Sequence, residues 1–251
     1  MHRIDLNCDM GESFGAWKMG ADAQIMPYIT SANIACGYHA GDPATIRKTI
    51  KLAHEHGVAI GAHPGLPDLM GFGRRVMQIK PQEMYDLVLY QAGAVKAFAE
   101  AIGAKLHHVK CHGALYNMST DDIALSTAMA QAIKDLGGDL IMVGMANSPM
   151  LETAKSMGVR VAGEAFADRG YTDAGRLASR DDPKGMIVDE AQAVAQALQI
   201  IEAGAVTSTS GKQVAVAAQT LCLHGDQPDA VAFAKALRKV FAGRAISVAT
   251  V

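Results

Sequence analysis

The chain has 251 residues, half of them apolar, and a formal net charge of −2 at pH 7. That length admits one large α/β domain or two small ones, and the apolar share supplies a sizeable core with no compositionally disordered stretch. So small a charge excludes the electrostatic footprint of a nucleic-acid or anionic-membrane binder, and small molecules are the expected ligands.

The opening run MHRIDLNCDMGE is interrupted by polar residues and does not read as a signal peptide. No apolar run reaches the roughly 18 residues of a membrane span. Cys8, Cys36, Cys111 and Cys222 lie far apart inside apolar runs, with no CxxC pair. They read as reduced core thiols of a cytoplasmic protein, not as a disulfide framework or a four-cysteine zinc site.

The first predicted strand is IDLNCDMGE (4–12), where alternation puts Asn7 and Asp9 on one face and Cys8 on the other, with Glu12 beyond the turn at Gly11. An unpaired buried carboxylate is costly, so an inward Asp9 should be a metal ligand, an acid/base group or the partner of a cation. The second run, ANIACGYHAGD (32–42), carries Asn33 on its body and His39 near its end. Asp42 is read as the N-cap, with Pro43 at the first helical position, of a helix closed by Gly57. His54 and His56 complement that helix's C-terminal dipole. The third run, VAIGAHPG (58–65), stops at His63 because Pro64 removes a ladder donor. Residues 65–79 then form a long connection carrying Arg74 and Arg75.

Lys80-Pro81 opens a helix closed by Gly103, with Met84, Leu87, Val88, Ala94, Val95 and Phe98 at helical spacing. The fourth strand, HHVKCHGALYN (107–117), begins with His107 and His108 at the end of the barrel that serves stability. It puts Lys110 and His112 on one face, with Tyr116 and Asn117 beyond them as rim contacts. Lysine is almost never buried without a partner, and a desolvated one can serve as base, nucleophile or oxyanion stabiliser. Ser119 or Thr120 is expected to cap the next helix, which ends at Gly137. LIMVG (140–144) is the fifth strand, followed by a helix from Ser148-Pro149 to Gly158. RVAGEAFADRGY (160–171) is the sixth, with Glu164 at its end and Arg169 and Tyr171 in the long connection 166–188. A helix from Asp189 to Gly204 precedes TLCLHGD (220–226), where His224 and Asp226 share a face. A last helix ends at Gly243, and SVATV is either a final strand or a tail.

Strict β-then-α alternation implies parallel strands joined by right-handed crossovers. Polar residues close nearly every strand, not only those at one switch point. This favours a TIM-like, seven-stranded parallel (β/α) barrel over an open doubly wound sheet, as a single domain across residues 1–251 with its active site at one rim. Two apparent motifs fail. The run from Gly204 to Gly211-Lys212 has the wrong spacing for a phosphate loop, and Gly71-Phe72-Gly73 lacks the rest of a dinucleotide fingerprint. No GxSxG elbow is present. Asp9, His39 and His63 lie at successive strand ends and suit a one-carboxylate, two-histidine site for Zn²⁺ or a similar ion. The same groups also suit a carboxylate or amide substrate without metal.

Six segments carry a family resemblance: DLNCDMGESFG (5–15), ANIACGYHAGDP (32–43), GAHPGLPDLMGFGRR (61–75), KCHGALYN (110–117), EAFADRGY (164–171) and CLHGD (222–226). In this order, across essentially the whole chain, they resemble the LamB/YcsF family. The resemblance implies a barrel of the glycoside hydrolase/deacetylase type. It also implies ATP-dependent opening of the lactam of 5-oxo-L-proline (pyroglutamate) to L-glutamate, with release of ADP and phosphate. The implied partners are 5-oxoprolinase subunits B and C, with ATP and its Mg²⁺ used by the complex. By fold analogy, the kinship strengthens the metal reading at Asp9, His39 and His63.

The catalytic candidates are therefore Asp9, His63, Lys110, His112, Glu164 and His224. The substrate-binding candidates are Asn7, Asn33, Arg74, Arg75, Tyr116 and Arg169. His63 or His112 would move protons, with Asp9 or a metal positioning water. Lys110 would stabilise charge on the carbonyl oxygen, and one of Arg74, Arg75 and Arg169 would hold the substrate carboxylate. Lys110→Ala or His112→Ala is expected to abolish turnover with the fold intact. Two rivals stand beside this reading: a stand-alone metal-dependent amidase or deacetylase, and a non-catalytic subunit that binds 5-oxoproline.

Overall fold

Period-two alternation shapes the first strand of the computed structural model, which describes residues 2–223 and 230–251. Strand β1 (Arg3–Met10) turns Ile4, Leu6, Cys8 and Met10 into the apolar layer. Asp5, Asn7 and Asp9 face the other way, as the pleat requires. Strands β2 (Ser31–Ala35), β3 (Ala59–His63), β4 (Leu106–Lys110), β5 (Ile141–Met145) and β6 (Arg160–Phe166) follow, each parallel to its predecessor. Two short strands, β7 (Ala205–Thr207) and β8 (Gln213–Ala215), form an antiparallel hairpin outside this sheet. Strand β9 (Thr220–Leu223) pairs with both β6 and β1 and closes a seven-stranded, all-parallel barrel. The run SVATV contributes β10 (Ser247–Val248), which pairs with the start of β1. His224 and Asp226 lie outside the described residues.

Between the strands run α1 (Asp22–Ile25), α2 (Pro43–Glu55), α3 (Pro81–Glu100), α4 (Gly113–Asp121), α5 (Ile123–Asp135), α6 (Pro149–Ser156), α7 (Glu190–Leu198) and α8 (Ala230–Gly243). Asp42 caps α2, accepting from the Ala44 and Thr45 amides at 2.8 and 2.9 Å. Glu83 reaches back to the Lys80 amide at 2.7 Å and starts α3. Asp189 caps α7 through the Gln192 amide.

One predicted boundary is wrong. The run 107–117 is not one strand with a polar end: β4 stops at Lys110 and α4 begins at Gly113. Ser119 and Thr120 sit inside α4, their hydroxyls donating to the Leu115 and Tyr116 carbonyls, and Asp122 caps α5 instead. The strand-to-helix turn is too short to contain a run of turn residues, so the sequence carries no loop signal there. The helix has a functional consequence: His112 at its N-cap and Tyr116 on its first turn both reach the mouth of the barrel.

The main apolar core lies between barrel and helices, where Leu6, Ile34, Val88, Val95, Met129 and Leu237 are fully buried. The barrel interior differs. Asp5, Asn7, Asn33, His108, Lys110, Glu164 and Thr220 form a polar column in which no residue is more than 2% exposed. Such a column is stable only where donors meet acceptors, since an unpaired buried polar group costs several kcal/mol at the upper end. At its base Asp5 accepts from Thr30, Ser31 and Thr220. Burial raises the Asp5 carboxyl pKa above its ordinary value, against those hydrogen bonds. Ile141, Val143 and Ala162, with Val251 against them, form a small separate apolar cluster. No helix among the described residues is long and apolar enough to cross a membrane.

Candidate active site

The carboxyl ends of the strands surround a cavity of about 640 Å³. Asp9, His63, Lys110 and Phe166 reach it from strand ends, Tyr116 and Asn117 from α4, Arg74 from the first long connection, and Leu177 to Asp181 from the second. Both long connections therefore wall the mouth of the barrel.

Lys110 organises one side. Its Nζ lies 2.7 Å from Glu164 Oε1 and 2.9 Å from Asp9 Oδ1. It also donates to Asn7 Oδ1 and Cys222 Sγ, each at 3.2 Å, and faces the Phe166 ring. Burial alone would lower its pKa, but Asp9, Cys222 and Glu164 outweigh burial and hold it well above the ordinary lysine value. Lys110 is therefore a cation at neutral pH. Burial, with the Glu164 carboxylate next to it, pushes the Tyr116 hydroxyl well above its usual range, so Tyr116 faces the cavity as a neutral phenol.

On the other side, Glu12, His39, His63 and His112 each offer a ligand atom, and these atoms lie within 4.8 Å of one another. His63 Nδ1 donates to the Lys110 carbonyl at 2.7 Å, and His112 Nε2 donates to the Phe72 carbonyl at 2.8 Å. These anchors leave His63 Nε2 and His112 Nδ1 facing each other at 3.0 Å with a lone pair on each. Both ring nitrogens of His39 lack a hydrogen-bond partner among the described residues, although the residue is completely buried. Burial, then the neighbouring His112 and His63, push the His39 pKa well below normal, and burial does the same to His112. Neutral imidazoles are the ligating form. Three imidazoles converging with a carboxylate fit Zn²⁺ or a similar divalent ion.

The walls of this cluster explain Phe72 and the glycine that follows it. Phe72 is held in a left-handed conformation (φ 54°), which is strained for a bulky residue. There its carbonyl meets His112 while its ring packs on His39 and His112. Gly73 also has positive φ, and a Cβ on it would fall 2.8 Å from the Cβ of His39. Phe72-Gly73 is thus a tight turn pressed on the histidines, while Gly71 packs against Asp68 and Arg75.

The donor set differs from the one expected. His39 and His63 are in it, but Glu12 and His112 complete it. Asp9 stands beside it, with Oδ1 held by Lys110 and Asn33 and Oδ2 3.2 Å from His63 Nε2. The sequence signal for Glu12 was its place just past the first strand. Arg74 lines the cavity, whereas Arg75 is turned onto Asp68, its Nε 2.9 Å from Oδ1, and is absent from the lining. Arg169 reaches the cavity, but its Nε and Nη2 donate to the Gly185 and Ala178 carbonyls at 3.1 and 2.7 Å, which pins the second connection. Burial, then Arg180, lower its pKa to about 10. Asn7, Asn33 and Glu164 lie beneath the lining, bonded to Lys110 or Asp9. His108, assigned to the stability end, is bonded into this same floor.

The LamB/YcsF family model matches residues 4–251. The chain is 54% identical over 245 residues to the A subunit of 5-oxoprolinase from Bordetella parapertussis, covering 98% of this chain and 97% of that one. Among solved structures it is similar to the lactam utilization protein from Thermus thermophilus, with a TM-score of 0.93 and 44% identity, covering 99% of this chain and 100% of that one. A family 4 carbohydrate esterase from Streptomyces lividans, in complex with acetate, shares the fold alone, with a TM-score of 0.52 and 12% identity over 99% of this chain and 92% of that one.

Proposed function

The chain belongs to the LamB/YcsF family, and on that premise we propose that it is the ring-opening component of an ATP-dependent 5-oxoprolinase. It converts 5-oxo-L-proline to L-glutamate together with subunits B and C. The relatives' names support hydrolysis of a cyclic amide. The observation that carries the reading is the pairing, across one cavity, of a buried cation flanked by two carboxylates with a cluster of three imidazoles and Glu12.

Lactam hydrolysis needs charge stabilised on the carbonyl oxygen, a water deprotonated and a proton delivered to the ring nitrogen. Lys110, held charged, serves the oxygen. Asp9, with Oδ1 fixed by Lys110 and Asn33, presents Oδ2 to orient the water and take its proton. The water oxygen bonds to the carbonyl carbon, the C–N bond breaks, and the proton passes to the departing nitrogen, which becomes the amino group. Arg74 holds the substrate carboxylate. Glu12, His39, His63 and His112 would hold the divalent ion, a role that replaces proton carriage by His63 or His112. When bound there, the ion supplies Lewis acidity toward an oxygen.

The amide is unreactive, so ATP with its Mg²⁺ supplies the driving force. The spacing between Gly204 and Lys212 does not make a phosphate loop, and subunits B and C are assigned the nucleotide. Four free, buried cysteines suit a reducing, cytoplasmic setting. The test is glutamate formation from 5-oxoproline by the purified chain, with and without ATP and subunits B and C. Turnover is expected only with all of them. The imidazole cluster favours one second reading, a metal-dependent amidase without ATP; ATP-independent turnover that a chelator abolishes would establish it and overturn the first.

A further inference from the structure

The floor of the barrel contains a histidine that the ring-opening scheme leaves unused. His108, on β4 two residues before Lys110, is buried, and burial with His107 and Lys110 nearby keeps it neutral. Its Nε2 donates to Asn33 Oδ1 at 2.8 Å. Asn33 Nδ2 then donates to Asn7 Oδ1 at 2.7 Å and to Asp9 Oδ1 at 2.8 Å. On its other side, His108 Nδ1 faces His107 Nδ1 at 3.2 Å. In one proton arrangement His107 donates to His108, His108 to Asn33, and Asn33 to Asp9. A reversed Asn33 amide would set its oxygen against the Asp9 carboxylate and the Asn7 carbonyl, three acceptors with no proton among them. Asp9 and Asn7 thus fix which way the Asn33 amide faces, and the His108 donor beneath anchors its oxygen.

The backbone is built to admit this imidazole. The β3–β4 pairing shifts register between Ile60 and Gly61, so that Gly61 stands opposite His108 and His107 is passed over. A Cβ on Gly61 would lie 2.0 Å from His108 Nε2. Only a residue without a side chain lets the ring cross β3 and reach Asn33 on β2. Bulges that re-aim a side chain in this way are enriched beside active sites.

We infer that His108 is a positioning residue which, through Asn33, holds Asp9 with Oδ1 engaged and Oδ2 turned toward His63 and the cavity. The inference rests on the ring-opening role proposed for Asp9. Its test is 5-oxoproline turnover by the assembled complex, comparing His108→Leu, His108→Gln, Asn33→Ala and the Leu/Ala double variant. Outer-shell losses run at roughly 10- to 100-fold, and His108→Leu should lower kcat by about that much. KM should stay within about twofold. Glutamine keeps a donor where Nε2 was and should restore most of the rate. The double variant should be no slower than Asn33→Ala, since the effect passes through Asn33.

A crystal structure of His108→Leu should show the Asn33 amide turned off Asp9. If that variant does not fold, Gly61→Ala, which displaces the ring without removing it, replaces it in both measurements. Multiplying losses, no rescue by glutamine, or an intact Asn33–Asp9 bond in the variant crystal would each overturn the inference. An inactive wild-type complex would count against the ring-opening role alone, and the crystal structure would still decide the role of His108.

Discussion

Lys110→Met keeps an unbranched side chain one atom shorter and removes the ammonium with its charge and donors, which makes it the sharpest probe of the cavity floor. Lys110 Nζ is 2.7 Å from Glu164 and 2.9 Å from Asp9, and Glu164 is fully buried. Without the ammonium, the two carboxylates lose the buried cation they share. Breaking a buried pair in this way typically costs about 3–5 kcal/mol, against a total stability of about 5–15 kcal/mol. The expectation that a Lys110 variant keeps its fold intact is therefore replaced by marked destabilisation. The deficit should depend on pH. In the variant, a carboxyl is easier to bury neutral, so its folded pKa lies above its unfolded value near 4. The deficit is then absent below about pH 4 and grows as pH rises toward the folded pKa. In the wild type, Lys110 has a raised pKa, so its contribution is complete at neutral pH and lost only in strongly alkaline solution. Urea unfolding followed by far-ultraviolet circular dichroism at pH 5 and pH 8 measures both effects. Adding Glu164→Gln to Lys110→Met removes one stranded charge and should recover at least about 1 kcal/mol at pH 8. A single-variant loss below about 1 kcal/mol at pH 8, or one that grows on acidification, would refute the argument.

Three further outcomes are expected. The wild-type chain should bind one divalent ion when titrated with Zn²⁺ or Co²⁺, and His39→Ala or Glu12→Ala should abolish that binding; calorimetry or the visible spectrum of Co²⁺ reports it. Arg74→Ala should raise KM for 5-oxoproline by about tenfold or more, as loss of a charged hydrogen bond does, whereas Arg75→Lys should leave KM unchanged because Arg75 is bound to Asp68. The amides of Thr45, Gly15 and Ala44, which hydrogen-bond Asp42, hold its pKa down at about 2. Its stabilising effect is complete above the ordinary aspartate range and lost as pH falls through about 2, so Asp42→Ala should lower Tm at pH 6 and converge with wild type on strong acidification.

Much of this site was visible residue by residue. Asn7 and Asp9 share a face because strand alternation demands it, but alternation does not carry from Lys110 to His112, because β4 ends at Lys110 and His112 caps α4. Gly or Pro marked most strand and helix ends. Glu12 was not visible as a candidate ligand, because it lies past the pleat where period two no longer assigns a face. Arg74 and Arg75 are adjacent and chemically alike, and nothing local tells which one Asp68 captures. His108 looked structural by its position near the start of a strand, and only the register shift at Gly61 turns it toward Asn33.

The order of polar-ended strands and intervening helices was sufficient, by itself, to determine a parallel barrel with its chemistry at one rim and to bring the family resemblance. Alternation and capping are short-range, so a single chain displays them directly. Which donors meet was decided only by the tertiary structure. His39, His63, His112 and Glu12 come from different strand ends, and Lys110 meets Asp9 and Glu164 across the barrel. Those distances depend on barrel closure and strand register, which arise from pairings between segments far apart in the chain and leave no local trace in the residues themselves.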